Sequence, residues 1–141
     1  MELAFTIRCN PPKQTAQSVS RIFRRKDGTP FIGKKNNTSK GELFCLLKDH
    51  IPERPFEGPV ELTIDWCYAW RTSEPKKNRK LGYRYCTTKP DVDNICKQLN
   101  DCMTRLGYWT DDAIVSRLVF TKVWCDEPCI KIRIKDLENE C

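Results

Sequence analysis

Three carboxylates and one ammonium stand close together in the second half of the chain: Asp91, Asp93, Asp112 and Lys97. Carboxylates in this number suit Mg²⁺, a hard ion that prefers octahedral oxygen ligands and keeps several waters. Such an ion orients a water and neutralises charge on phosphoryl oxygens. A neighbouring ammonium adds to that stabilisation or protonates a leaving oxygen. Each acid also has a purely structural explanation. Asp91 suits a helix N-cap, and Asp93 suits the positive end of a helix dipole. Asp93 and Lys97 form an ordinary i,i+4 surface pair, and Asp111-Asp112 reads as a polar turn. Spacing alone leaves both explanations open.

The element that must position these groups is a helix opening at Pro90-Asp91. Val92, Ile95, Cys96, Leu99, Cys102, Met103 and Leu106 recur at helical spacing, and Gly107 is the natural stop. Lys97 then stands one turn above Asp93, with Asp101 continuing the polar row. The sequence predicts a strand from Glu2 to Arg8, ended by Asn10-Pro11-Pro12. From Lys13 to Asn37 the chain reads as a long basic loop with room for a short hairpin. A helix follows from Thr38-Ser39 to about Asp49, with Leu43, Phe44, Leu46 and Leu47 inward. Strands are expected at Val60 to Trp70, Ile114 to Trp124 and Ile130 to Ile134. The order predicts one α+β domain spanning residues 1–141, a mixed sheet with helices packed on it.

The 141 residues carry a net charge of +6, unevenly spread. Between Lys13 and Lys40 there are eight basic residues against Asp27 alone, and between Arg71 and Lys89 seven against Glu74 alone. The rest of the chain is acidic. Two dense basic segments on an acidic body suggest a polyanion partner and give Lys13, Arg24, Arg25, Lys76, Lys77, Arg84 and Lys89 as candidate DNA contacts. Phe23, Phe31, Trp70 and Tyr85 lie beside these segments and could stack on unpaired bases, although Trp70 fits core packing better. No apolar run approaches the roughly 20 residues of a membrane span. No secretory pattern opens the chain, so a cytoplasmic location is expected.

Nine cysteines do not form a paired zinc pattern. Only Cys125 and Cys129 are closely spaced, and the single histidine, His50, has no partner at ligand spacing. Cys45, Cys67, Cys96 and Cys102 are expected as small buried hydrophobes. A zinc-stabilised interaction protein built on Cys125 and Cys129 is therefore a weaker alternative.

The run Lys89-Pro90-Asp91-Val92-Asp93-Asn94, followed by Lys97, Asp101, Gly107 and Asp111-Asp112, resembles the signature of the RusA family of Holliday junction resolvases. The resemblance covers about a quarter of the chain strongly. It implies a homodimeric, Mg²⁺-dependent nuclease of bacteria or phages that resolves four-way DNA junctions by paired nicks in recombination and repair. It implies that Asp91, Asp93 and Asp112 bind the metal and that Lys97 is the catalytic lysine. A junction is two-fold symmetric, so a C2 dimer matches it. Basic loops would hold phosphates without reading bases. The alternative to an enzyme is a non-catalytic branched-DNA-binding protein that keeps the acids for structure.

Overall fold

The computed structural model describes residues 1–13, 20–24, 30–34 and 38–138. The element order is β1 (Glu2–Ile7), β2 (Ser20–Arg24), β3 (Pro30–Lys34), α1 (Thr38–Leu47), β4 (Val60–Ala69), α2 (Lys76–Arg79), β5 (Tyr83–Tyr85), α3 (Val92–Leu106), β6 (Val115–Cys125) and β7 (Cys129–Asp136). A 3-10 turn, Asp112–Ile114, leads into β6.

Five strands form a mixed sheet in the order β1-β7-β4-β6-β5. Only the β4–β6 pair is parallel, and the crossover between them carries α2, β5 and α3. The class is α+β, as the element order predicts. β2 and β3 pair separately as an antiparallel hairpin, so the first basic segment is not wholly loop.

β4 explains the layering. Its burial alternates strictly, with Val60, Leu62, Ile64, Trp66 and Tyr68 buried and the residues between them half-buried. The buried face meets α1 through Leu43 and Leu47 and α3 through Ile95, Leu99, Cys102 and Met103, all in one core. The opposite face of the sheet carries no helix among the described residues. Val92 and Cys45 depart from expectation, both being exposed. Val92 is the first residue of α3, before the helix has reached the sheet. Cys45 lies on the outer face of α1, between the inward Leu43 and Leu47. His50 stacks on Phe5 at 4.3 Å.

Gly107 ends α3 in the left-handed region at φ 90°. Its N–H bonds the Thr104 carbonyl, and the Tyr108 N–H bonds the Met103 carbonyl, so two otherwise orphaned carbonyls are satisfied. Tyr108 is fully buried and donates its hydroxyl to the Leu47 carbonyl at 2.7 Å. This contact ties the C-terminal end of α3 to α1. No helix among the described residues is long and apolar enough to cross a membrane.

Candidate active site

Asp91 occupies the N-cap position of α3, but its side chain makes no capping hydrogen bond. Its carboxylate lies 3.3 Å from Lys89 Nζ, and both groups are substantially exposed. The capping explanation for Asp91 is thereby weakened. Asp93 follows in the first turn and is exposed, as is Lys97 one turn further on. No ion pair joins Asp93 to Lys97, and neither side chain makes a hydrogen bond to another described residue. Asp101 instead pairs with Arg105 at 3.5 Å. The N-terminal end of α3 thus presents two carboxylates and an ammonium, of which Asp91 is ion-paired to the exposed Lys89.

Lys122 fixes the turn that delivers these groups. From β6 its ammonium donates to the Pro90 carbonyl at 2.8 Å and to the Thr88 carbonyl. The Cys86 N–H also bonds the Lys122 carbonyl at 2.9 Å. β6 therefore holds the approach to Asp91 from both backbone and side chain. Nothing in the sequence singles out Lys122, because its partners are carbonyls of a distant turn.

Asp112 is placed differently. It opens the 3-10 turn before β6, is exposed, and has no ion pair among the described residues. Asp111 is committed to structure, its carboxylate accepting the Ala113 N–H at 2.9 Å. The 15 residues of α3 span about 22 Å. Asp91 stands at one end of that helix and Asp112 beyond the other. β6 confirms the separation, since it begins at Val115 and reaches the Asp91 turn only at Lys122. Among the described residues no group of three His, Cys, Asp or Glu side chains is arranged to hold a metal ion. One chain brings Asp91 and Asp93 together, with Lys97, and leaves Asp112 apart.

The second basic segment is organised by an acid. Glu74 is buried and receives Arg84 at 2.8 Å, Asn78 at 3.0 Å and Arg71 at 3.1 Å. Hydrogen bonds from Arg84 and then Asn78 hold its carboxyl far below the usual range, down to about 2. Arg71 also lies over the Trp124 ring at 5.1 Å, and Arg79 donates to the Arg71 carbonyl. Lys76 and Lys77 are exposed on α2, and Arg84 remains half-exposed beside them. Charge counting treats Glu74 merely as the lone acid in a basic run, whereas the structure makes it the clamp of that run. Lys13 is exposed just after Pro12, whose carbonyl accepts the Tyr68 hydroxyl. Arg24 ends β2, and Arg25 lies outside the described residues. Trp70 is half-buried and donates to Asp126 at 2.6 Å, in keeping with a packing role.

Cys125 and Cys129 flank the β6–β7 turn, and Cys129 stands directly opposite Cys67 on β4. Burial, followed by the neighbouring Cys129, pushes the Cys67 thiol up, and burial raises Cys125 as well.

The family model for endodeoxyribonuclease RusA matches residues 11–135. A crossover junction endodeoxyribonuclease rusA of Lactococcus phage r1t is 30% identical over 125 residues, covering 87% of this chain and 90% of that protein. An uncharacterized protein, YqaN of Bacillus subtilis (strain 168), is 29% identical over 108 residues, covering 73% and 75% respectively.

Proposed function

The chain belongs to the RusA family of endodeoxyribonucleases, and on that premise we propose that it resolves four-way DNA junctions by Mg²⁺-dependent, paired symmetric nicks. The observation that carries the reading is the pair of exposed carboxylates at one end of α3, Asp91 without a capping bond and Asp93 without an ion pair among the described residues, beside Lys97. Asp91 makes no cap bond, and its ion pair with Lys89 is solvent-exposed and therefore weak.

The donor set fits a hard divalent ion. Mg²⁺ is commonly held by one or two carboxylates, with substrate phosphate and water completing its shell. Asp91 and Asp93 would hold it, with Asp112 as a third oxygen donor. When bound, the ion supplies charge neutralisation at the phosphate and a place for the attacking water. Lys97 stabilises negative charge at the scissile phosphate from one turn above Asp93. Lys122 keeps the Thr88–Asp91 turn in place, so that the carboxylates would hold the ion without reorganisation. The clamp around Glu74 presents Lys76, Lys77 and Arg84 to the DNA backbone, and Lys89 stands beside Asp91. Lys13, Arg24 and Arg25 would extend this contact.

Asp112 suggests why a homodimer is needed. It stands too far along the chain from Asp91 to join it, yet it is exposed and uncommitted. β5 covers β6 from Val123 to Cys125, and no described strand lies along the edge of β6 opposite β4 from Val115 to Thr121. Leu118 and Val119 on this stretch are close to half exposed. Unpaired edges readily accept a second strand. Antiparallel pairing of two β6 edges about Leu118 and Val119 would carry Asp112 of one copy toward the Lys122 end of the other. Each site would then take Asp91, Asp93 and Lys97 from one copy and Asp112 from its partner, two sites under one two-fold axis.

Asp93→Asn tests the chemistry. Cutting of a synthetic four-way junction in Mg²⁺ should fall by at least about 100-fold, because a metal ligand contributes several kcal/mol at the transition state. Junction binding should persist, since the basic segments supply the affinity. A folded Asp93→Asn protein that cuts as well as the wild type would return the acids to a structural role.

A further inference from the structure

β5 alternates between the two faces of the sheet. Arg84 turns to the helical side and binds Glu74. Tyr83 and Tyr85 turn to the open side, where their strand partners are Cys125 and Val123. The tyrosines are 53% and 66% exposed, and their rings meet edge to face with centroids 5.8 Å apart. Leu81, just before the turn at Gly82, is more exposed still. Large apolar side chains exposed singly are ordinary, but a contiguous group marks an interaction surface.

The surroundings specify what fits there. Exposed Lys76, Lys77 and Lys80 lead into β5 and suit phosphates. The tyrosines rim an open hollow of about 820 Å³, large enough for a small flat ligand. Asp65, Asp126 and Glu127 also line this hollow, outnumbering Lys131 and Arg8, the latter tied to Glu127 at 3.6 Å. The excess of carboxylates makes the hollow a poor place for a phosphate. A nucleobase fits better, because its amino groups can donate to them while its ring lies on a tyrosine. β5 then runs through Cys86 into the Thr88–Asp91 turn, so Tyr85 lies within about 22 Å of Asp91 and Tyr83 within about 29 Å.

We propose that Tyr83 and Tyr85 form a stacking platform for a nucleobase left unpaired at the branch point, with its flanking phosphates on Lys76, Lys77 and Lys80. This rests on the nuclease reading for the substrate. The platform gives preference for branched over linear DNA, because an intact duplex has no free base to offer.

The test uses the full chain without divalent metal, so that binding is read apart from cutting. Four-way junctions carry 2-aminopurine at positions around the crossover, and a matched linear duplex serves as control. Wild-type protein should change the 2-aminopurine emission at one or more crossover positions and leave the duplex probe unchanged. Tyr83→Leu with Tyr85→Leu should weaken junction binding by about ten-fold or more, and duplex binding by no more than about two-fold. The double Phe variant should bind as the wild type does. No emission change at any crossover position on wild-type binding would overturn the proposal, even where the Leu variant does not fold. So would an equal loss of junction and duplex affinity, or unchanged junction affinity in a folded Leu variant. A separate Mg²⁺ cutting assay with the wild type distinguishes failure of the platform from failure of the nuclease reading.

Discussion

A carboxylate gripped by Arg84, Asn78 and Arg71 stays ionised well below the pH at which an ordinary glutamate takes up a proton. Its lowered pKa fixes the sign of the pH effect: the stabilisation is complete above about 4.5 and is lost as pH falls toward about 2. Thermal unfolding of wild type and Glu74→Gln should therefore differ by a constant amount between about pH 8 and 5. The difference should shrink below about 4.5. A gap that does not change between pH 5 and 2 would show that Glu74 acts through shape and not charge. The acids of the signature were legible in the sequence because their spacing is local. Glu74 was not, since three of its partners approach from separate points of a folded loop. Lys122 escaped for the same reason, its partners being carbonyls on another element.

At the level of elements, legibility followed length. α3 and β4 are long enough for their periods to show, and both stand where the pattern predicts. α2 has four residues and β5 has three, too few for any period to register in a run dominated by lysine and arginine. α3 depends on its stop as much as on its stripe. Gly107→Ala places a Cβ at φ 90° and should cost about 1–2 kcal/mol. The melting temperature should fall by about 3–8 °C in thermal unfolding. The added methyl would meet only open space, so backbone conformation alone sets this cost. A neutral substitution would show that the turn can relax to negative φ without releasing Tyr108.

The arrangement of the whole molecule could not be read from sequence, because the distance between Asp91 and Asp112 is set by how α3 packs in the fold. That distance leads to a decisive experiment on shared sites. Asp93→Asn and Asp112→Asn proteins should each be inactive. Mixed under conditions that exchange subunits, they should regain nicking. In a mixed dimer with shared sites one site collects both defects and the other none. The product should be a single nick and not a resolved junction, seen by running the labelled strands separately. Two proteins that remain inactive together, in verified mixed dimers, would place all three acids within one chain.

The sheet order has a consequence for how the molecule is made. β4 lies between β7 and β6, both synthesised after it, and β1 pairs only with β7, Glu2 opposite Lys135. During translation β1 and β4 therefore wait without their sheet neighbours until β6 and β7 have left the ribosome, and long-range pairing of this kind is slow. The Asp91 turn waits as well, because Lys122 on β6 is what holds it. A nascent chain that has completed the whole acidic signature still lacks a formed site. Competence to cut thus comes late in synthesis, when β7 closes the sheet against β1.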